Sequence, residues 1–314
     1  MLYYFAPMEG VTDSIYRSLH HKYFPGLDRY YTPFLSPGAG KKTTTKDSRE
    51  IPAAQSLPFS VVPQVLTKSS EDFLFMAQKC ADLGYQEINL NLGCPSGTVT
   101  AKGKGSGMLR DLAALDSFLY EIFSRTVLPV SIKTRIGFYD PEELPGILEI
   151  YNRYPIRELI VHPRVREDFY KEPIHRDAFS YALAHSKSPV CLNGNLCSLS
   201  QCETAAKEYP AVSALMLGRG LIGNPGMLTP GGTTMPALRS FLEELLETYS
   251  QVFGSERNAM FRMKENWRYA IRMFENSDKL FKKLRKSTDI RDYRMITAEI
   301  FSSCPIRKEL QPDW

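Results

Sequence analysis

The sequence predicts an α/β fold: a (β/α)8 TIM barrel over residues 1–225, followed by a small all-helical C-terminal domain over residues 236–314. Three observations carry this reading. Eight short apolar, β-rich runs occur before residue 220. Helical periodicity separates most of them, as alternating βα units require. Beyond a stretch rich in Gly, Pro and Thr at 223–236 the strand-like runs stop and only helical patterns remain. A chain of 314 residues has room for one large α/β domain and an appendage. A doubly wound open sheet is the competing architecture, because periodicity does not decide closure.

The elements follow in order. Residues 2–8 are the first strand, and 14–24 a helix with Ile15, Leu19 and Tyr23 four apart. Residues 29–36 are the second strand. Residues 37–59 show no clean helix and read as an irregular insertion with room for one short helix. The third strand is 60–66, despite Pro63. Ser69 suits the N-cap of a helix through Phe73, Met76, Ala77, Cys80 and Leu83, and Gly84 suits its stop. Strand four is 88–92. The helix 112–126 lines Leu115, Phe118, Leu119, Ile122 and Phe123 along one face. Strand five (130–136), helix 141–154, strand six (159–162), helix 176–185, strand seven (190–193), helix 198–208 and strand eight (214–218) complete the barrel. The tail reads as helices 238–253, 259–274, 278–285 and 293–301. Between 257 and 294 twelve Lys/Arg face five Asp/Glu, a local charge of +7 that suits a polyanionic partner.

Composition narrows the classes. With 43% hydrophobic and 24% charged residues the chain is ordinary for a globular protein, and its net charge of +4 permits a polyanion without demanding one. No apolar run reaches the roughly 18 residues that span a bilayer. The first residues lack the basic and apolar regions of a signal peptide, so the expectation is a cytoplasmic protein without membrane contact. The six cysteines form no C-x-x-C pair, and Cys197-x4-Cys202 has no matching His/Cys pair, so neither a disulfide framework nor a metal site is expected. The oligomeric state is open, with a monomer as the expectation.

The chemistry centres on Asn89-Leu90-Asn91-Leu92-Gly93-Cys94-Pro95 and the basic, glycine-rich loop 96–107 that carries Lys102 and Lys104. Cys80 on a helix face and Cys191 in mid-strand fit the common fate of a small buried filler. Cys94 lies in a turn at a strand end, where a thiol is presented. Active groups of parallel barrels sit at the C-terminal ends of strands. Strand one delivers Pro7, Met8 and Glu9, strand three Gln64, strand four Asn91 and Cys94, strand five Lys133 and Arg135. Strand six delivers His162 and Arg164, strand seven Asn193, Gly194 and Asn195, strand eight Gly218 and Arg219. The last two loops are where barrels commonly hold phosphate, and glycine backbone with an arginine suits that anion. Each residue alone is more often structural; their recurrence at successive strand ends favours one site. The loop 96–107 fails the Walker A pattern, since Lys104 precedes Gly105, and fails G-x-G-x-x-G at Met108. It reads as a mobile basic lid hinged on its glycines, with a plain solvated loop as the alternative.

Together Ala6-Pro7-Met8-Glu9-Gly10-Val11-Thr12-Asp13, Asn89-x-Asn91-x-Gly93-Cys94-Pro95, Lys102-Gly103-x-Gly105-x-Gly107-Met108-Leu109, Ser131-Ile132-Lys133-Thr134-Arg135, Val161-His162-Pro163-Arg164, Asn193-Gly194-Asn195 and Leu217-Gly218-Arg219-Gly220 resemble the tRNA-dihydrouridine synthases. The resemblance spans about residues 1–225; the tail resembles that family's RNA-binding domain in position and charge. It implies an FMN-dependent barrel that reduces a uridine of tRNA to 5,6-dihydrouridine, with NADPH as electron source. Cys94 would be the general acid that protonates C5 while C6 receives hydride. An ordinary thiol, with a pKa of about 8.5, holds that proton at neutral pH. Pro7, Met8, Glu9, Gln64, Lys133, His162, Asn193, Gly194, Asn195, Gly218 and Arg219 would hold FMN. Asn91, Arg135, Lys102, Lys104, Arg164 and Tyr170 would meet the tRNA. After Arg164 the family commonly continues with a Gln-x-Tyr-x-Gly type of stretch; here 168–173 read Asp-Phe-Tyr-Lys-Glu-Pro, keeping only Tyr170.

Two other functions fit parts of the chain. An FMN barrel acting on a free small molecule, of the dihydroorotate or dihydropyrimidine dehydrogenase type, lacks a use for the basic tail. A non-enzymatic RNA-binding module lacks a use for Cys94, Lys133 and His162 together.

Overall fold

The computed structural model describes residues 1–37 and 43–310. Nine parallel strands form one sheet: β1 (Leu2–Phe5), β2 (Arg29–Tyr31), β3 (Val61–Val62), β4 (Gln64–Val65), β5 (Ile88–Leu92), β6 (Val130–Gly137), β7 (Leu159–Val165), β8 (Val190–Asn193) and β9 (Ala214–Leu217). Their order is β3-β2-β1-β9-β8-β7-β6-β5-β4. The two ends of that order are consecutive in the chain, separated only by Pro63. The predicted third strand is therefore split: its first half pairs β2 and its second half pairs β5. Proline has no N–H to give a ladder, so the change of partner falls there. The sheet wraps into a nearly closed barrel of TIM type, and the open doubly wound alternative falls away.

Alternation decides what lines the barrel. Tyr4, Ala6, Tyr31, Val62, Ile160, Cys191, Ala214 and Met216 form one buried apolar cluster. In register with them, β5, β6 and β7 bring Asn89, Asn91, Ser131, Lys133, Arg135 and His162 into two-residue alternation. The intervening Ile88, Leu90, Leu92, Ile132 and Val161 are fully buried, which gives the strands two buried faces. The helices follow the predicted periodicity. Ser69 accepts a hydrogen bond from the Asp72 N–H at the start of helix Ser70–Asp82, and Gly84 adopts φ +85° just past its end. The insertion contains one short helix, Thr45–Glu50, capped by Thr44; its residues 38–42 lie outside the described ones.

By contacts the chain divides into two compact units, and the division does not fall at one point in the sequence. The first is Met1–Pro7, Asp28–Asn195 and Thr204–Met216; the second is Met8–Leu27, Leu196–Glu203 and Leu217–Trp314. The second unit thus includes the helix Ser14–Tyr23, whose Tyr16, His20 and Phe24 rings pack on Phe241 of the helix Met235–Phe253. Trp267, buried in the helix Glu256–Ala270, donates to the Tyr293 hydroxyl at 2.7 Å. Asp13 organises this unit. It caps the helix Ser14–Tyr23 through the Tyr16 N–H (2.9 Å), pairs with Arg262 (2.6 Å) and accepts the Tyr249 hydroxyl at 3.0 Å. Among the described residues no helix is long and apolar enough to cross a membrane.

Replacing Asp13 by Ala removes a cap, a partly buried ion pair and a buried hydroxyl's acceptor at once. Urea unfolding is expected to show a loss of about 3 kcal/mol. In a cycle with Arg262→Met the two losses should fall well short of additive.

Candidate active site

In the first unit β4, β5 and β6 hold a chain of buried amides that ends on a serine. Gln64 Nε2 donates to Asn89 Oδ1 at 2.8 Å, and Gln64 Oε1 accepts from Asn91 Nδ2 at 2.7 Å. Asn89 Nδ2 donates onward to Ser131 Oγ at 2.9 Å. Asn91 Oδ1 turns the other way and accepts the backbone N–H groups of Gly93 (3.1 Å) and Cys94 (3.0 Å). The asparagine fixes the turn that presents the half-buried thiol. Sequence reasoning found Asn91 and Gln64 but missed Asn89 and Ser131. The available signal was alternation: Asn89 lies two residues before Asn91 and therefore on the same face.

The loop after Cys94 differs from its prediction as a glycine-hinged lid. It contains the short helix Gly97–Thr100 and a 3-10 helix, Gly105–Arg110, in which Gly105, Ser106 and Gly107 are buried. A Cβ on Gly105, at φ +57°, would lie 2.9 Å from the Cys94 carbonyl oxygen and 3.0 Å from its Cβ. One on Gly107 would lie 2.8 Å from the Thr100 oxygen. The glycines are there so that the segment can close against the cysteine. Ser106, which carried no sequence signal, donates its hydroxyl to the Cys94 carbonyl at 2.8 Å. Lys102 is exposed and Lys104 half-buried on this segment.

Three cations lie on β6 and β7. Arg135 is buried and donates to three backbone carbonyls: Gly93 (3.0 Å), Val165 (2.7 Å) and Phe169 (2.8 Å). Its guanidinium also lies 5.2 Å from the centroid of the half-exposed Tyr170 ring, whose stacked neighbour is His162 at 5.8 Å. Arg164, also buried, donates to the Glu172 carbonyl (2.5 Å), to Asn195 Oδ1 (2.9 Å) and to His162 Nε2 (2.9 Å). A guanidinium has no acceptor, so His162 accepts at Nε2 and carries its proton on Nδ1. Lys133 is different. It lies beside Asn91 in the ladder, and its ammonium makes no hydrogen bond or ion pair with the described residues. Burial first, then Arg135, lowers its pKa to about 8.

The remaining predicted residues divide between the two units. Asn193 Nδ2 donates to the Met216 carbonyl at 2.7 Å. Gly194 (φ +138°) and Asn195 (φ +54°) turn sharply, and a Cβ on Gly194 would sit 2.9 Å from the His162 ring. Pro7 closes the first segment of the first unit. In the second unit Met8 accepts from the Val11 and Thr12 N–H groups at 3.0 Å, with exposed Glu9 and Gly10 (φ +80°) in the turn. There too Gly218 caps the short helix Arg219–Gly223. None of the six cysteines forms a disulfide. Among the described residues no group of three or more His, Cys, Asp or Glu could hold a metal ion.

An unpartnered ammonium inside a barrel, a histidine of defined tautomer and glycine backbone packed onto its ring suit a planar, electron-rich ring system. The comparisons with known proteins agree on the class. Residues 4–304 match the family model described as dihydrouridine synthase. The chain is 30% identical over 240 residues to tRNA-dihydrouridine synthase B of Vibrio cholerae, covering 74% of this chain and 73% of that protein. A probable tRNA-dihydrouridine synthase of Staphylococcus aureus is 25% identical over 318 residues, covering 94% of this chain and 91% of the other. Among solved structures, a mutant of morphinone reductase in complex with tetrahydroNAD superposes with a TM-score of 0.53 at 11% identity, covering 74% of this chain and 87% of that one, which is likeness of fold. The chain is a flavin-dependent oxidoreductase. It belongs to the dihydrouridine synthase family.

The Lys133 ammonium has a stability consequence with a definite sign. Its folded pKa, about 8, lies below the unfolded value of 10.5. The unfolded chain therefore binds more protons between those two pH values, and the lysine's penalty fades as pH rises through them. In flavin-free protein Lys133→Met is expected to be more stable than wild type at pH 7, by about 2 kcal/mol. The gap should narrow by pH 10 in parallel urea titrations. Gly105→Ala, by contrast, should lower the melting temperature by several degrees and slow labelling of Cys94 by a thiol reagent.

Proposed function

We propose that this protein reduces uridines of tRNA to 5,6-dihydrouridine, with FMN as its flavin and NADPH as the electron source. The observation that carries the reading is the presented Cys94. Its backbone N–H is fixed by Asn91 and its carbonyl by Ser106, at the same barrel end as the unpartnered Lys133. The relatives named for tRNA-dihydrouridine synthesis support the substrate.

When bound, reduced FMN supplies a hydride to C6 of the uracil ring. The chain's own residues do the rest. Cys94 Sγ gives a proton to C5, which balances the addition across the C5=C6 bond and leaves a thiolate to be reprotonated from solvent. Asn91 holds the cysteine's turn so that the thiol's direction is set before substrate arrives. Lys133 holds a positive charge inside the barrel, where negative charge on the flavin ring is stabilised most. His162 accepts from Arg164 at Nε2 and so carries its proton at Nδ1, and in that form it would help hold the flavin. Gln64, Asn193, Gly194 and Asn195 of the first unit complete the proposed FMN contacts. Pro7, Met8, Glu9, Gly218 and Arg219 are assigned to FMN on the family resemblance alone.

The substrate must bring a uridine out of its stack, at a cost of a few kcal/mol. Lys102 and Lys104 lie on the segment that packs against the cysteine and suit the phosphates of that strand. In the second unit the helix Asp278–Lys286 exposes Lys279, Lys282, Lys283 and Lys286, none of them ion-paired among the described residues. We assign residues 236–314 to tRNA binding on that charge. The FMN-dependent reductase of a free small molecule remains the second class, distinguished by turnover of free uridine or orotate.

Cys94→Ala is expected to purify yellow, with flavin absorbance unchanged, and to form dihydrouridine in a tRNA transcript at least a hundredfold more slowly. A wild-type rate in that variant would falsify the thiol as acid. Changing Lys279, Lys282, Lys283 and Lys286 together to Gln should weaken transcript binding and flatten the plot of log affinity against log salt, by up to about four in slope. An unchanged slope would remove this helix from the RNA surface.

A further inference from the structure

Resting on the tRNA reading, we infer that Phe169 forms a second nucleobase subsite, which stacks a base next to the uridine being reduced. The observation is a ladder of alternating guanidinium and aromatic groups beside Cys94. Arg110 lies 5.0 Å from the Phe138 centroid, Arg166 lies 5.4 Å from the same ring, and Arg166 lies 4.8 Å from Phe169. The ladder is tied to the cysteine loop at two points. Arg110 donates to the carbonyls of Gly107 and Thr100 at 3.2 Å each, and Arg166 donates to the carbonyl of Pro95, the residue after Cys94, also at 3.2 Å.

Phe138 is buried within the ladder, whereas Phe169 at its end is 38% exposed. Its backbone has φ +49°, which a phenylalanine rarely adopts. Four contacts enforce it. Arg135 holds its carbonyl at 2.8 Å, its N–H bonds to the Arg166 carbonyl at 3.1 Å, the Arg166 guanidinium lies over the ring, and Asp168 is fixed by the Val165 N–H at 2.8 Å. An aromatic ring kept partly in water, in an unfavourable backbone conformation, by a buried arginine is a preorganised surface. Its chemistry is that of single-strand recognition: a π-face with a cation behind it takes any base by stacking, and its strength does not come from phosphate charge. A nucleotide drawn out of a tRNA fold leaves its neighbours unstacked, and such a neighbour is the ligand this ring fits.

The test uses the whole flavoprotein and an unmodified tRNA transcript. Phe169→Leu keeps apolar volume and removes the π-face. It is expected to raise KM five- to twentyfold, with kcat within about twofold and the salt slope of binding unchanged. Phe169→Trp should restore KM, and its added fluorescence should be quenched by the transcript. A Leu variant with wild-type KM overturns the subsite. So does a loss of kcat and KM together with a lower melting temperature, which is the signature of a loop that merely orders the site. Trp emission that stays constant while the transcript binds overturns it as well. In each of these cases wild-type enzyme still reduces the transcript and the tRNA reading stands; a wild-type enzyme inert on the transcript removes both.

Discussion

The carboxamide of Asn91 is the interaction on which the site depends. One side of it accepts two consecutive backbone N–H groups in the turn that carries Cys94. The other side joins Gln64, and through it Asn89 and Ser131, across three strands. Each of these bonds contributes only about 1 kcal/mol net, but a buried amide left without partners costs more than that. The chain of amides is therefore all or nothing. With β4 to β6 correctly paired every member is satisfied; a slip of one residue in β5 would send both asparagines to the helix-facing side. The register of the barrel and the direction of the cysteine's turn are held by the same atoms.

The three interior cations follow different physics, and the difference sorts their roles. A guanidinium can be satisfied by carbonyl oxygens held in fixed positions, and Arg135 and Arg164 are satisfied in that way. Arg135 binds the loop after β7 to the turn after β5, and Arg164 binds that loop to the turn after β8, so both shape the site as much as they could touch a substrate. Lys133 is a compact charge without such partners. Keeping it ionised near pH 7 carries a desolvation cost, which is what lowers its pKa to about 8. A fold retains such a cost where a bound group of opposite charge repays it.

Much of this was legible before any coordinates. Apolar alternation marked the strands, Ser69 and Gly84 marked helix ends, and polar residues at successive strand ends marked the candidate site. Two features were misread for identifiable reasons. The glycines at 105 and 107 looked like hinges because glycine permits motion and close packing alike, and composition does not say which. Pro63 looked like a blemish in a strand, yet it is the point where the segment changes partners and the barrel comes round on itself. Asn89, Ser106 and Arg166 were missed because their partners are 12 to 71 residues away in sequence.

The sequence by itself determined the alternation of strand and helix, the family motifs, the presented cysteine and the basic charge of the tail, since all of these are local patterns of residue type. Tertiary structure decided the rest. It split the third strand, gathered residues 8–27 with the C-terminal helices, and set Phe169 at the end of an arginine-aromatic ladder. It also separated the two arginines held by protein acceptors from the lysine that has none among the described residues. Whether a buried cation is neutralised depends on which carbonyls the fold places around it, and that is a property of pairing register and loop path rather than of the residue.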